Sequence, residues 1–181
     1  MTATSSRGLP RTARAFRIGD ADGRHEIFSG EGAALSEARW HRAGQRVIYA
    51  AEHLSCAMLE KLVHFNGILP ANQHFVTLTL PKGLTYEVVT KDSLADWTSS
   101  EVSRAFGAAW IEANRSALLY VPSIVVREER NVLINPAHPA FADIDVSLEQ
   151  PIHWDKRLLG PATPAASARP HGRGRSASKP R

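Results

Sequence analysis

The order of apolar runs constrains this chain more than any other feature. About seven short stretches have β-type composition, and only two longer ones repeat at helical spacing. AFRI (15–18), RVIYAA (46–51), HFVTLTLP (74–81), TYEVVT (85–90), LLYVPSIVV (118–126, broken by Pro122), NVLINP (131–136) and DIDVSLEQPIHW (143–154) read as strands. In residues 53–66, Leu54, Ala57, Met58, Leu62 and Phe65 form one wide apolar stripe, which predicts a helix stopped at Asn66-Gly67. Residues 99–115 predict a second helix, with Ser99 or Ser100 at its cap and Glu101 in its first turn. Two main helices among seven strands do not make a regular βαβ repeat. The expected class is α+β, a compact mixed and substantially antiparallel sheet. FSGEGA (28–33) reads as a loop, and AHPAF (137–141) as a turn.

Charge divides the chain into a body and two ends. Residues 161–181 hold five basic residues and no acid, and residues 1–14 hold three and no acid. The formal +4 therefore resolves into 14 basic and 18 acidic residues over 15–160, a net of −4. A mildly acidic body argues against a nucleic-acid-binding face on the folded part. Segment 1–14 is expected to be disordered, 15–158 to form one domain, and 159–181 to be a disordered basic Pro/Ala/Ser/Arg tail. The single cysteine, Cys56, rules out an internal disulfide and suits a reducing compartment. With no secretory h-region and no apolar run of membrane-spanning length, a cytoplasmic location is expected.

Familiar catalytic spacings do not occur. Neither common phosphate-binding glycine loop is present, nor HExxH, nor GxSxG around Ser123. No metal site is expected, and Cys56 in its apolar helix reads as core. What remains is polar residues in apolar settings: Arg17 in a strand, Arg39 before Trp40, Tyr49 ending a strand, Glu60 inside a helix, and Ser123 after Pro122. Each has an ordinary structural explanation when taken singly, such as an i, i+4 pair of Glu60 with His64.

Taken together they resemble the RES domain. AFRI, FSGEGAALSEARWHRAGQRVIYAAEHLSCAMLEKLVH and VPSIVVREERNVLINPAHPAF carry the resemblance, over about residues 15–155. The family is named for an Arg, a Glu and a Ser, matched here by Arg17, Glu60 and Ser123; Arg39 and Tyr49 match further polar residues of the same cleft. The resemblance implies a fold related to ADP-ribosyltransferases and the consumption of NAD⁺ as substrate, without a metal. It also implies a toxin neutralised by an antitoxin of the Xre-like helix-turn-helix type. One departure is clear: where the family has Gly-Gly-Arg-Trp-Asn, this chain has Glu37-Ala38-Arg39-Trp40-His41.

The residue types suit that chemistry. Guanidinium groups on Arg17 and Arg39 match pyrophosphate oxygens. Breaking the nicotinamide–ribose bond makes an oxocarbenium-like sugar, which a carboxylate such as Glu60 stabilises. Tyr49 would wall the nicotinamide, and Ser123 would bond the ribose or carboxamide. The acceptor of ADP-ribose stays open among water, phosphate and a protein side chain. The competing class is a non-enzymatic module acting through its basic tails.

Overall fold

The computed structural model describes residues 6–66 and 68–159. Its strands are β1 (Arg7–Gly8), β2 (Ala13–Asp20), β3 (Ile48–Ala51), β4 (Gln73–Leu80), β5 (Thr85–Val88), β6 (Leu118–Pro122), β7 (Arg130–Ile134), β8 (Asp145–Val146) and β9 (Gln150–Pro151). Its helices are α1 (Glu31–Ala34), α2 (Leu54–His64) and α3 (Ser100–Ala113), with 3-10 turns at Pro139–Asp143 and Lys156–Leu159. The strands form one mixed sheet in the order β1-β5-β6-β7-β3-β2-β4-β8, with β9 also against β4. The β5–β6 pair is parallel and every other pair antiparallel. Parallel neighbours need a long crossover, and α3 lies in the connection between these two. The expected α+β class with two main helices is the one observed.

The central strands are apolar because both faces of the sheet are covered. All five residues of β6 are buried. Leu118 and Tyr120 join Ile48, Ala50, Val132 and Ile134 in one core cluster, while Leu119 and Val121 join Leu133, Trp40, Trp97 and Trp110 in the other. This follows from the two-residue period of a strand. On β4 the buried apolar residues are Val76, Leu78 and Leu80, while Phe75 is half-buried. Trp110 of α3 is fully buried and donates from Nε1 to Ser116 Oγ at 2.8 Å. Burying a ring of that size removes ~150–250 Å² from water, worth about 4–6 kcal/mol at ~25 cal/mol per Å².

Some expectations shift at the edges. Arg7 and Gly8 pair with β5, Leu9 is buried and β2 begins at Ala13, so residues 6–14 belong to the fold instead of a disordered segment. The pairing works because the short strand closes an otherwise open edge of the sheet. The run 143–154 yields two short strands, and Glu31–Ala34 within FSGEGA forms a helical turn. Ser99 is the N-cap of α3, although its side chain makes no capping bond. Asn66, at φ +49°, ends the first long helix in the left-handed region. Gly67 and the tail from 160 onward lie outside the described residues.

Candidate active site

β2 and β3 share one register pair, Phe16 with Ala51. Along the rest of their lengths they are held by β4 and β7 respectively. Arg17 bridges the two. Its Nη1 donates to the Tyr49 carbonyl at 2.8 Å and its Nη2 to the Ser29 carbonyl at 3.3 Å, while its Nε donates to the Ile27 carbonyl. Burial pulls this guanidinium down to about 10, so it remains a cation at neutral pH. A guanidinium has more N–H groups than these bonds use, and Arg17 lines a cavity.

That cavity has a volume of about 330 Å³. Phe16, Arg17 and Ile18 of β2, Tyr49 to Ala51 of β3, the 38–40 loop, Asn131 of β7 and one face of α2 line it. The α2 face consists of Ala57, Glu60, Lys61 and His64, spaced i, i+3, i+4 and i+7. The helix thus presents its polar stripe to the cavity and its Cys56 to the core, where burial raises the thiol to about 11. A carboxylate in an apolar helix is accounted for by this geometry: Glu60 is half-buried on a cavity wall and hydrogen-bonded at one oxygen.

Two donors converge on that oxygen. Ser123 Oγ and Asn131 Nδ2 each lie 2.7 Å from Glu60 Oε1. Ser123 is fully buried, and its hydroxyl also accepts from the Val125 and Val126 amides at 3.1 and 2.9 Å. Its only proton is directed at Glu60, which leaves none for a ligand. In this structure Ser123, expected from the sequence to contact the substrate, stands behind Glu60 and is bonded to it. Glu60 is bonded to Ser123 and Asn131, and not to His64 as the ordinary i, i+4 explanation would have it.

Tyr49 is anchored from its hydroxyl. His41 is buried, with Nε2 at 2.7 and 3.0 Å from the Ala33 and Ser36 carbonyls. Carbonyls only accept, so Nε2 carries the proton, and in the neutral ring Nδ1 accepts from Tyr49 Oη at 2.8 Å. The Trp40 amide donates to the same hydroxyl at 3.3 Å. Burial is the main reason that the phenol is held far above its ordinary pKa. Arg104 of α3 clasps the same loop, with Nε on the Ala38 carbonyl at 2.9 Å and Nη1 on Glu37 Oε1 at 3.1 Å. Arg39 reaches the Thr98 carbonyl with Nη1 at 2.7 Å.

Arg17, Arg39, Tyr49 and Glu60 therefore share one cavity, with Ser123 directly behind its acid. Sequence reasoning missed Lys61, His64 and Asn131. Lys61 and His64 were signalled by their offsets from Glu60 on one helix. Asn131 was signalled only as a lone amide opening an apolar strand. Burial, followed by the nearby Arg17 charge, lowers the Lys61 pKa. Among the described residues no group of three or more His, Cys, Asp or Glu could hold a metal, and no helix is long and apolar enough to cross a membrane.

Comparison with solved structures shows which known fold this mixed sheet is similar to. The fold is similar to that in the crystal structure of the M. tuberculosis MbcT–MbcA toxin–antitoxin complex, with a TM-score of 0.64 at 14% identity, over 80% of this chain and 86% of that one. The RES domain model matches residues 14–155, and the chain belongs to the RES domain family. A Prs ADP-ribosylating toxin of Sphingobium sp. (strain YBL2) is 38% identical over 139 residues, covering 73% of this chain and 86% of that protein. Toxin Res of Photorhabdus laumondii is 34% identical over 119 residues, covering 63% of this chain and 76% of that protein.

Proposed function

We propose that this chain is the toxin of a bacterial toxin–antitoxin module and that it breaks the nicotinamide–ribose bond of NAD⁺. The observation that carries the reading is Glu60: an acid tethered at Oε1, with no bond to Oε2 among the described residues, on the wall of a cavity it shares with cations and an aromatic ring. The cavity volume falls in the ~300–1,000 Å³ range of small-molecule sites. It suits the nicotinamide–ribose end, with the pyrophosphate toward Arg17, Arg39, Lys61 and His64.

In the reaction the C1′–N bond breaks and its electron pair leaves with nicotinamide, which becomes neutral. Positive charge develops on the ribose, and the Glu60 carboxylate stabilises it while accepting a hydrogen bond from a ribose hydroxyl. Tyr49 walls the ring and excludes water from one side. An acceptor oxygen or nitrogen then bonds to C1′ and loses its proton. The name of the Sphingobium relative favours a protein acceptor over water or phosphate. A cognate antitoxin that covers the cleft follows from the same class.

Glu60→Gln keeps the shape and removes the charge. It is expected to retain the parental fold and to lose most NAD⁺ consumption and growth arrest on induction. Parental NAD⁺ loss by that variant would refute the reading. Product analysis with and without phosphate, and with cell extract as acceptor, separates the three destinations. Deleting residues 161–181 tests the tether alternative, since the enzyme reading expects unchanged NAD⁺ loss.

A further inference from the structure

We infer that Asn131, at the start of β7, is a positioning residue that decides which oxygen of Glu60 faces the substrate. The inference rests on the proposed reading of Glu60 as the charge-stabilising acid.

β7 lies between β6 and β3, with Asn131 opposite Val121 on one side and Ala51 on the other. Residues two apart on a strand share a face, so Asn131 points the same way as Leu133, into the side of the sheet that carries Tyr49. There its Nδ2 donates to Glu60 Oε1 at 2.7 Å. Chemistry fixes the amide orientation at both ends. A carboxylate can only accept, so Nδ2 must face Glu60. On the other side, Cys56 Sγ donates to Asn131 Oδ1 at 3.8 Å, a weak bond at sulfur's longer reach.

Ser123 donates to the same oxygen at the same distance, from a fully buried position. Oε1 thus takes two protein donors, while Oε2 takes none among the described residues and Glu60 lines the cavity. Ser123 alone fixes a distance. A second donor from a different strand fixes the rotation of the carboxylate plane. The other ionisable groups facing this cavity are Arg17 on β2, Arg39 in the loop, Tyr49 on β3, and Lys61 and His64 on α2, with the Cys56 thiol behind the acid. The side-chain amide at 131 supplies a second donor to the acid without adding a charge.

The test uses N131A and N131D in the full chain, measuring NAD⁺ consumption across pH. N131A is expected to lower kcat about tenfold or more with KM for NAD⁺ within about twofold, as befits a misplaced reacting group. N131D is isosteric and sets a second carboxylate against the first. It should raise the acid limb of the kcat profile by about one unit or more. A role in folding alone would not move that limb, and N131D keeps the test open if N131A fails to fold. Parental kcat in N131A, or an unmoved acid limb in N131D, overturns the inference. Glu60→Gln run alongside separates the two failures. If Glu60→Gln is inactive while both Asn131 variants behave as the parent, only this inference falls. If Glu60→Gln is active, the functional reading itself falls.

Discussion

Gly107→Ala gives a sharp test of how the helix behind the site sets its shape. Gly107 lies in the third turn of α3, where glycine normally costs ~0.5–1 kcal/mol against alanine. Propensity alone therefore expects the substitution to stabilise. The packing expects the reverse. A Cβ built at this position would sit 2.0 Å from the Trp40 carbonyl oxygen, 2.8 Å from its carbon and 3.1 Å from its Cα. All three are backbone atoms, so no side-chain rotation relieves the clash. Ordinary contact begins at 3.4 Å, so α3 and the 38–41 loop must part by about 1.4 Å. Overpacking of this kind costs ~1–3 kcal/mol. For a chain of this size that lowers Tm by roughly 2–4 °C per kcal/mol.

The displaced loop is the one that carries Arg39 and Trp40 and closes onto the Tyr49 hydroxyl. A shift of ~1 Å at reacting groups can reduce turnover by ~10²-fold. Melting curves and NAD⁺ consumption of the same preparation read both effects. Gly32→Ala serves as the control, because its Cβ would meet only the His25 ring at 3.8 Å. If Gly107→Ala melts at or above the parent and turns over NAD⁺ normally, the close approach of helix and loop is wrong.

Two further outcomes are expected. Tyr49→Phe removes the proton that His41 Nδ1 accepts and leaves a buried ring nitrogen without it. It should cost ~1–3 kcal/mol, read as a lower denaturant midpoint at unchanged m-value. Cys56 keeps its thiol proton up to about 11, against an ordinary value of 9.0. Above the lower value the unfolded chain loses this proton first, so the native state binds more protons and stability falls with rising pH between the two. The melting temperature of the parent should drop more steeply than that of Cys56→Ala from pH 8 to pH 10.5, and parallel curves would refute the assignment.

The sequence exposed the parts of this molecule that local periodicity controls. Helical spacing over 53–66 placed α2, and alternation over 74–81 placed β4 to within a residue at each end. Parity was harder: Phe75 and Val76 are both apolar, and only the sheet decides that Val76 faces the core. Arg7–Gly8 carries no strand signal, since its pairing is imposed by the β5 edge. At the site, residue identity exposed Glu60 and Arg17 but not what they touch. Ser123 sits in a turn whose amides use its lone pairs and so turn its proton toward the acid. Asn131 had no periodic signature, because its role comes from strand order, which brings β7 beside β3.

The segment Glu37-Ala38-Arg39-Trp40-His41, which departs from the Gly-Gly-Arg-Trp-Asn that the resemblance implies, is held by several contacts at once. Glu37 and Ala38 have less backbone freedom than the glycines of that pattern, and Arg104 holds the Ala38 carbonyl and the Glu37 carboxylate together. His41 replaces a small amide with a ring long enough to bond at both ends, from the Ala33 and Ser36 carbonyls to the Tyr49 hydroxyl. Gly107 makes room for the resulting turn by letting α3 approach the Trp40 backbone. Each contact pulls on the same four-residue bend, whose own backbone contributes one bond, from the Ala38 amide to the His41 carbonyl at 3.1 Å. The bend is therefore held mainly from outside. Replacing Glu37 by glycine would leave Arg104 without its carboxylate, so substitutions at 37 and 104 are expected to be non-additive in a double-mutant cycle of melting temperatures.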